Sequence, residues 1–94
     1  VSGDDLRKIA IDLRSQSASS VVALLSNNDG KPVLVVAVSD QSQAAGVKAG
    51  ALVKIGSTVL GGGGGGKDDF AQGGGTDVSK SLEAITAISQ SLIG

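Results

Sequence analysis

Cysteine, histidine, methionine, tryptophan and tyrosine are all missing from this 94-residue chain, and phenylalanine and proline occur once each. Without cysteine, disulfides and thiolate chemistry are excluded. Without histidine, the commonest general base and metal ligand near neutral pH is gone. With Phe70 as the only aromatic residue, the core must be aliphatic, drawn from Val, Leu, Ile and Ala. No apolar run approaches the ~20 residues of a membrane span, and no signal peptide is visible. These absences predict a cytoplasmic setting with no membrane partner. The length predicts one small domain, residues 1–94, with a single modest core. The abrupt start at Val1 predicts a piece of a longer protein.

Strong charge of either sign is also missing. The formal net charge is −1, which argues against a strong, general polyanion binder. The distribution qualifies this. Residues 41–67 hold no acid, yet Lys48, Lys54 and Lys67 fall there. A solvated face is the plain alternative for such lysines.

What is present reads as a short series of elements. Ser2 followed by Asp5 forms a near capping box. Leu6, Ile9, Ala10 and Leu13 then recur at helical spacing, with Arg7, Lys8, Asp12 and Arg14 on a face read as solvated. After a polar connector over residues 15–20, Val21 to Leu25 is a continuous apolar run, read as a buried strand. Asn27-Asn28-Asp29-Gly30 is a turn signal. Pro32 opens a second apolar strand over residues 33–38, where its missing N–H need not pair. The hairpin is apolar on both faces, so helices should cover both. Residues 41–46 read as a polar loop. Val47, Ala51, Leu52, Ile55 and Val59 mark a second helix, which Gly50 and Gly56 weaken by about 1 kcal/mol each relative to alanine. Asp77 is the N-cap of a last helix, with Leu82, Ile85, Ile88 and Leu92 as its buried stripe and Gly94 as its stop. The expected fold class is α/β, with α+β as the alternative. It has a small central sheet containing a hairpin, about three covering helices, and a glycine-rich loop before the last helix, with room for a short strand around residues 70–73.

That loop, residues 61–77, reads GGGGGGKDDFAQGGGTD. Gly61-x4-Gly66-Lys67 comes close to a phosphate-binding loop, but Asp68 stands where Ser or Thr should hold a metal. The loop also follows a helix rather than a strand, which disfavours nucleotide hydrolysis and a dinucleotide fingerprint alike. A flexible linker would need only glycine, whereas this stretch carries Lys67, Phe70-Ala71-Gln72 and a helix cap. The chain offers no nucleophile–base pair and no metal cluster for a hydrolase.

The pattern Gly64, Gly65, Gly66, Lys67, Asp69, Ala71, Gln72, Gly74, Gly75, Thr76, Asp77 resembles the signature of the C-terminal domain of alanyl-tRNA synthetases, the globular, DHHA1-like C-Ala domain. Upstream, Gly46-Val47-Lys48-Ala49-Gly50 leading into Leu52-Val53-Lys54 fits as well. There are departures. Gly63 stands where those synthetases often carry lysine, and Asp68 and Val78 stand where proline is usual. In related DHH-type phosphoesterases a histidine follows the glycine triplet; Lys67 stands there instead, which disfavours that branch.

The resemblance implies a non-catalytic tRNA-binding accessory domain. It would contact the tRNA elbow, where the D- and T-loops meet, and link aminoacylation with editing. The implied alternatives are a dimerisation or assembly module and the substrate-binding domain of a DHH-type phosphoesterase. No cofactor is implied for this piece; the parent enzyme would use ATP, magnesium and zinc. The implied partners are alanine-specific tRNA, the catalytic and editing domains of the parent chain, and a second copy in a homodimer. The candidate tRNA-binding residues are Lys48, Lys54, Gly64, Gly65, Gly66, Lys67 and Gln72. Glycine N–H groups can donate to phosphates and lysines can neutralise them. With one aromatic residue, recognition should use shape and backbone rather than base stacking. Phe70 reads as a core plug rather than a stacking residue. Gln72 reads as a contact to a base edge or a ribose or, preferred here, as a brace of the loop. Residues 61–67 thus read as contact surface and residues 70–77 as structure.

Overall fold

The computed structural model describes residues 3–16, 21–28 and 30–93. Ser2, Asp29, Gly94 and most of the 15–20 connector lie outside them. Helix α1 (Gly3–Ser15) leads to strands β1 (Val21–Asn28) and β2 (Lys31–Val38). The short helix α2 (Asp40–Ala44) and helix α3 (Ala49–Val59) follow. Strands β3 (Gly64–Gly66) and β4 (Phe70–Gly74), a 3-10 turn (Val78–Lys80) and helix α4 (Ser81–Ile93) complete the chain. The sheet order is β1-β2-β4-β3 and every pair is antiparallel. The fold is therefore α+β, the second of the two expected classes.

Strand β2 is central, and its sequence shows why. Leu34, Val36 and Val38 point to one face, where they meet Leu52, Val53, Ala84 and Ile88 of α3 and α4. Val35 and Ala37 point to the other, against Leu6 and Ala10 of α1. All five of these β2 side chains are fully buried. A strand buried on both faces must be apolar at consecutive positions, so the run without alternation made it legible. The β1–β2 turn uses Gly30 at φ +81°, and its N–H donates to Asn27 Oδ1 at 2.8 Å. Pro32 is the second residue of β2, paired with Asn27. Its C=O accepts from Gly75 N–H at 3.3 Å, just beyond the end of β4, so its missing N–H costs only the reciprocal bond at the ladder's end.

Three expectations need correction. Residues 40–44 are helical rather than a loop. The Ser39 hydroxyl caps them by accepting from Ser42 N–H, and Gly46 at φ +97° ends the segment. Polar Asp, Gln and Ser without an apolar stripe gave no helical signal. The buried stripe of α4 is Ala84 and Ile88, with Ile85 half-buried; Leu82 and Leu92 are exposed. The helix buries its middle turns against α3 and leaves the two end leucines in solvent. On α1, likewise, Leu6 and Ala10 are buried while Ile9 and Leu13 are exposed.

The third correction is the largest. The glycine stretch is a β-hairpin, with residues 64–66 as an edge strand beside β4. Glycine is a poor strand former, yet at Gly64 and Gly66 nothing larger fits. A Cβ on Gly64 would lie 2.8 Å from Gln72 O and 2.9 Å from Val53 Cγ1, and closer still to Gly73 Cα. A Cβ on Gly73 would strike Ser57 Oγ and come 2.8 Å from Val53 Cγ1. Helix α3 packs directly on the backbones of β3 and β4. Ser57 is buried beneath Gly73, and its hydroxyl has no hydrogen-bond partner among the described residues. Gly56 plays the same part at the junction of α3, α4 and β2, 2.6 Å from Leu34 Cδ2 by its virtual Cβ.

Candidate nucleic-acid interface

Strand β3 is paired on one side only, and Gly64, Gly65 and Gly66 are all exposed. Lys67 N–H donates to Phe70 O at 2.9 Å, and Gly74 N–H to Gly63 O at 3.3 Å. In an antiparallel ladder such bonds fall on alternate residues. The N–H groups of Gly64 and Gly66 therefore point away from β4, with no side chain of their own to screen them, while Gly66 O lies against Gly50 at the start of α3.

Two shallow depressions flank this edge. On the α3 side, one of about 450 Å³ is lined by Lys48, Lys54, the three glycines and Asp68. On the α1 side, one of about 390 Å³ is lined by Arg7, Arg14, Lys67, Phe70 and Gln72, with Gly65 and Gly66 shared between the two. The expected lysines thus do not line one concave face. Lys48 and Lys54 lie on one side of the glycine strand and Lys67 on the other.

Arg7 and Arg14, read from the sequence as solvated, belong to the α1-side depression. Their spacing of seven puts them on one face of α1, two turns apart. That much was visible in the sequence, but which strand they would face was not. The Arg7 guanidinium sits 5.1 Å from the Phe70 ring centroid, within cation–π range. Arg14 Nη1 donates to Asp69 O at 2.9 Å. Phe70 is half-buried against the α1-side core and also lines the depression. Gln72 is exposed opposite Gly65. It braces nothing: no side-chain hydrogen bond is made by it among the described residues.

The start of α3 holds the tip of the hairpin. Ala49 N–H donates to Asp68 O at 2.9 Å and Gly50 N–H to Lys67 O at 3.1 Å. These helix N-terminal donors are spent inside the protein, so an anion beside Lys48 would meet side chains and the β3 edge. At the far end, Thr76 and Asp77 N–H both donate to Leu60 O, at 3.0 and 3.1 Å. Asp77 caps the 3-10 turn that runs into α4 by accepting from Ser79 N–H. The Ser79 hydroxyl, with smaller help from that N–H and the Lys80 charge, holds the Asp77 carboxyl below its ordinary value, against a lesser effect of desolvation. Among the described residues no group of three His, Cys, Asp or Glu could hold a metal ion, and no helix is long and apolar enough to cross a membrane.

The molecule is a small α+β domain, an antiparallel sheet with a glycine edge strand between one helix and a helical pair. The family profile described as "DHHA1 domain" matches residues 1–94, and the chain belongs to that family. Its relatives narrow the placement. The chain is 50% identical over 87 residues to the alanine–tRNA ligase of Paenarthrobacter aurescens (strain TC1), covering 90% of this chain and 10% of that protein. It is 52% identical over 91 residues to the ligase of Arthrobacter sp. (strain FB24), covering 94% and 10%. The chain thus spans about a tenth of the length of the curated relatives it matches. Among solved structures, the C-Ala domain from Aquifex aeolicus alanyl-tRNA synthetase matches with a TM-score of 0.93 at 35% identity, over 100% of this chain and 84% of that one. The chain is of the C-Ala type, the C-terminal domain of alanyl-tRNA synthetases, and is not their catalytic domain. These similarities fall on the synthetase side.

Proposed function

We propose that this chain is a non-catalytic tRNA-binding accessory domain, with residues 1–94 acting as one unit. The observation that carries the reading is the exposed glycine strand with cations on both sides: Lys48 and Lys54 on one, Lys67, Arg7 and Arg14 on the other. Bare N–H groups at Gly64 and Gly66 can donate to phosphate oxygens, and the flanking cations release counterions when they neutralise phosphates. The net charge of −1 and the small number of contacts make binding by the domain alone weak.

The partner is alanine-specific tRNA, held at its elbow. A grip there leaves the acceptor end free to move between the aminoacylation and editing sites of a longer parent enzyme, which would work in the cytoplasm. ATP, magnesium and zinc belong to those other domains. The residues here do not fit such groups, because histidine and cysteine are absent and the described acids do not cluster.

Titration of labelled tRNA at two salt concentrations tests the reading. Binding should be weak and should tighten steeply as salt falls. Lys67→Ala should weaken it and lower the salt slope by about one. No binding at low salt would sink the proposal. A second reading, self-association, is favoured by Leu82, which is 78% exposed on α4. A concentration-dependent dimer in sedimentation that Leu82→Ser abolishes would support it.

A further inference from the structure

The two depressions beside β3 differ in chemistry, and the difference goes beyond phosphate binding. The α3-side depression is lined by lysines, glycines, Ala51 and Asp68, with no aromatic ring, guanidinium or carboxamide. It suits a sugar–phosphate backbone and little else. The α1-side depression holds the chain's single aromatic ring with a guanidinium over it at 5.1 Å. Apolar Ile11 and Ala71 also line it, and the exposed amide of Gln72 stands across from Gly65.

We propose that this second depression is a nucleotide pocket, in which an unpaired base of the bound RNA stacks on the Arg7 guanidinium. This rests on the RNA-binding reading and extends it. Three observations converge. First, the Arg7 guanidinium lies over the Phe70 ring at 5.1 Å and is exposed. A guanidinium plane is a stacking surface for bases in single-stranded RNA, and the cation–π contact with Phe70 holds the group at this depression. Second, Gln72 brings one donor group and one acceptor to the same depression, with no internal partner among the described residues. An amide of that kind can pair with a base edge. Third, Lys67 lines the rim together with the bare β3 edge, which provides for the phosphate of the same nucleotide. Asp69 also lines the depression; its negative charge there repels phosphate and favours a base amino group or a ribose hydroxyl. The volume of about 390 Å³ lies within the range of small-molecule sites. The expectation from composition, recognition by backbone and shape alone, counted aromatic rings and left out the guanidinium.

The test uses Arg7→Lys, which keeps the positive charge and removes the plane. Arg7 is exposed, so folding should be unaffected, and a circular dichroism melt checks this. In tRNA titrations at two salt concentrations, Arg7→Lys should weaken binding roughly tenfold, the scale of one stacked base, with the salt slope unchanged. Lys54→Ala should do the opposite, reducing the slope. Gln72→Ala should narrow the preference among short single-stranded RNAs of different base composition. Wild-type affinity in Arg7→Lys would overturn the pocket while leaving phosphate binding intact. So would equal affinity for an abasic and a normal single-stranded RNA. If the wild-type chain binds no RNA at low salt, the underlying reading falls first, and the pocket with it.

Discussion

Strands β2 and β3 belong to one sheet and are held by opposite means. β2 contributes side chains: five consecutive residues from Leu34 to Val38, all fully buried and pointing alternately into two cores. β3 contributes no side chain. It occupies an edge where its neighbours come so close that a methyl group at Gly64 or Gly66 would collide with backbone. The first strand stabilises the fold by what it removes from water. The second keeps its place by what it omits, and that omission also leaves its outer hydrogen-bonding groups bare for a partner. Most proteins protect an open edge with charge or distortion. Here the edge is short and its flanks carry the charge.

The largest effect expected from this contrast is at Leu34. Truncation to Ala should cost about 3 kcal/mol in a denaturation experiment, the range for a fully buried leucine. A loss under 1 kcal/mol would mean that β2 is not the core strand described.

Next in size is Gly64→Ala, which puts a methyl group against Gly73, Gln72 O and Val53. It should cost about 2 kcal/mol, as overpacking does, and should weaken RNA binding by displacing the edge. Its neighbour gives the control. A Cβ at Gly65 meets nothing within 4 Å, so Gly65→Ala should leave stability within about 0.5 kcal/mol of wild type. Equal effects at the two positions would remove the idea that close packing against α3, rather than glycine as such, sets β3.

The smallest expected effect is at the cap. The carboxyl of Asp77 titrates below its ordinary value of 3.8 in the folded chain. A depressed carboxyl stabilises the fold when ionised, so this contribution is fully present above pH 3.8 and is lost as pH falls through the lower folded value. Asp77→Asn, which still caps a helix, should flatten the acid limb of a stability–pH curve slightly. An unchanged acid limb would show that the Ser79 contact contributes nothing.

The sequence by itself determined the elements whose cause is local. The apolar runs at Val21 to Leu25 and Val33 to Val38, with a turn at Gly30, had to be a hairpin covered on both faces. Asp77 had to be a cap, because a carboxylate before a helical run satisfies free N–H groups wherever the chain goes. The signature around Lys67 and Gln72 also located the family. Tertiary structure alone decided the rest. Glycine carries no periodicity, so nothing in Gly64-Gly65-Gly66 distinguishes loop from strand until Val53, Ser57 and β4 close around it. The same holds for the cations. Lys48 and Lys54 lie six residues apart and share a depression. Arg7 and Lys67 lie at opposite ends of the chain's first two-thirds and also share one, because β4 pairs with β2 and carries Phe70 under α1. Chain proximity could suggest the first grouping; only strand order, set by packing two cores on one central strand, could make the second.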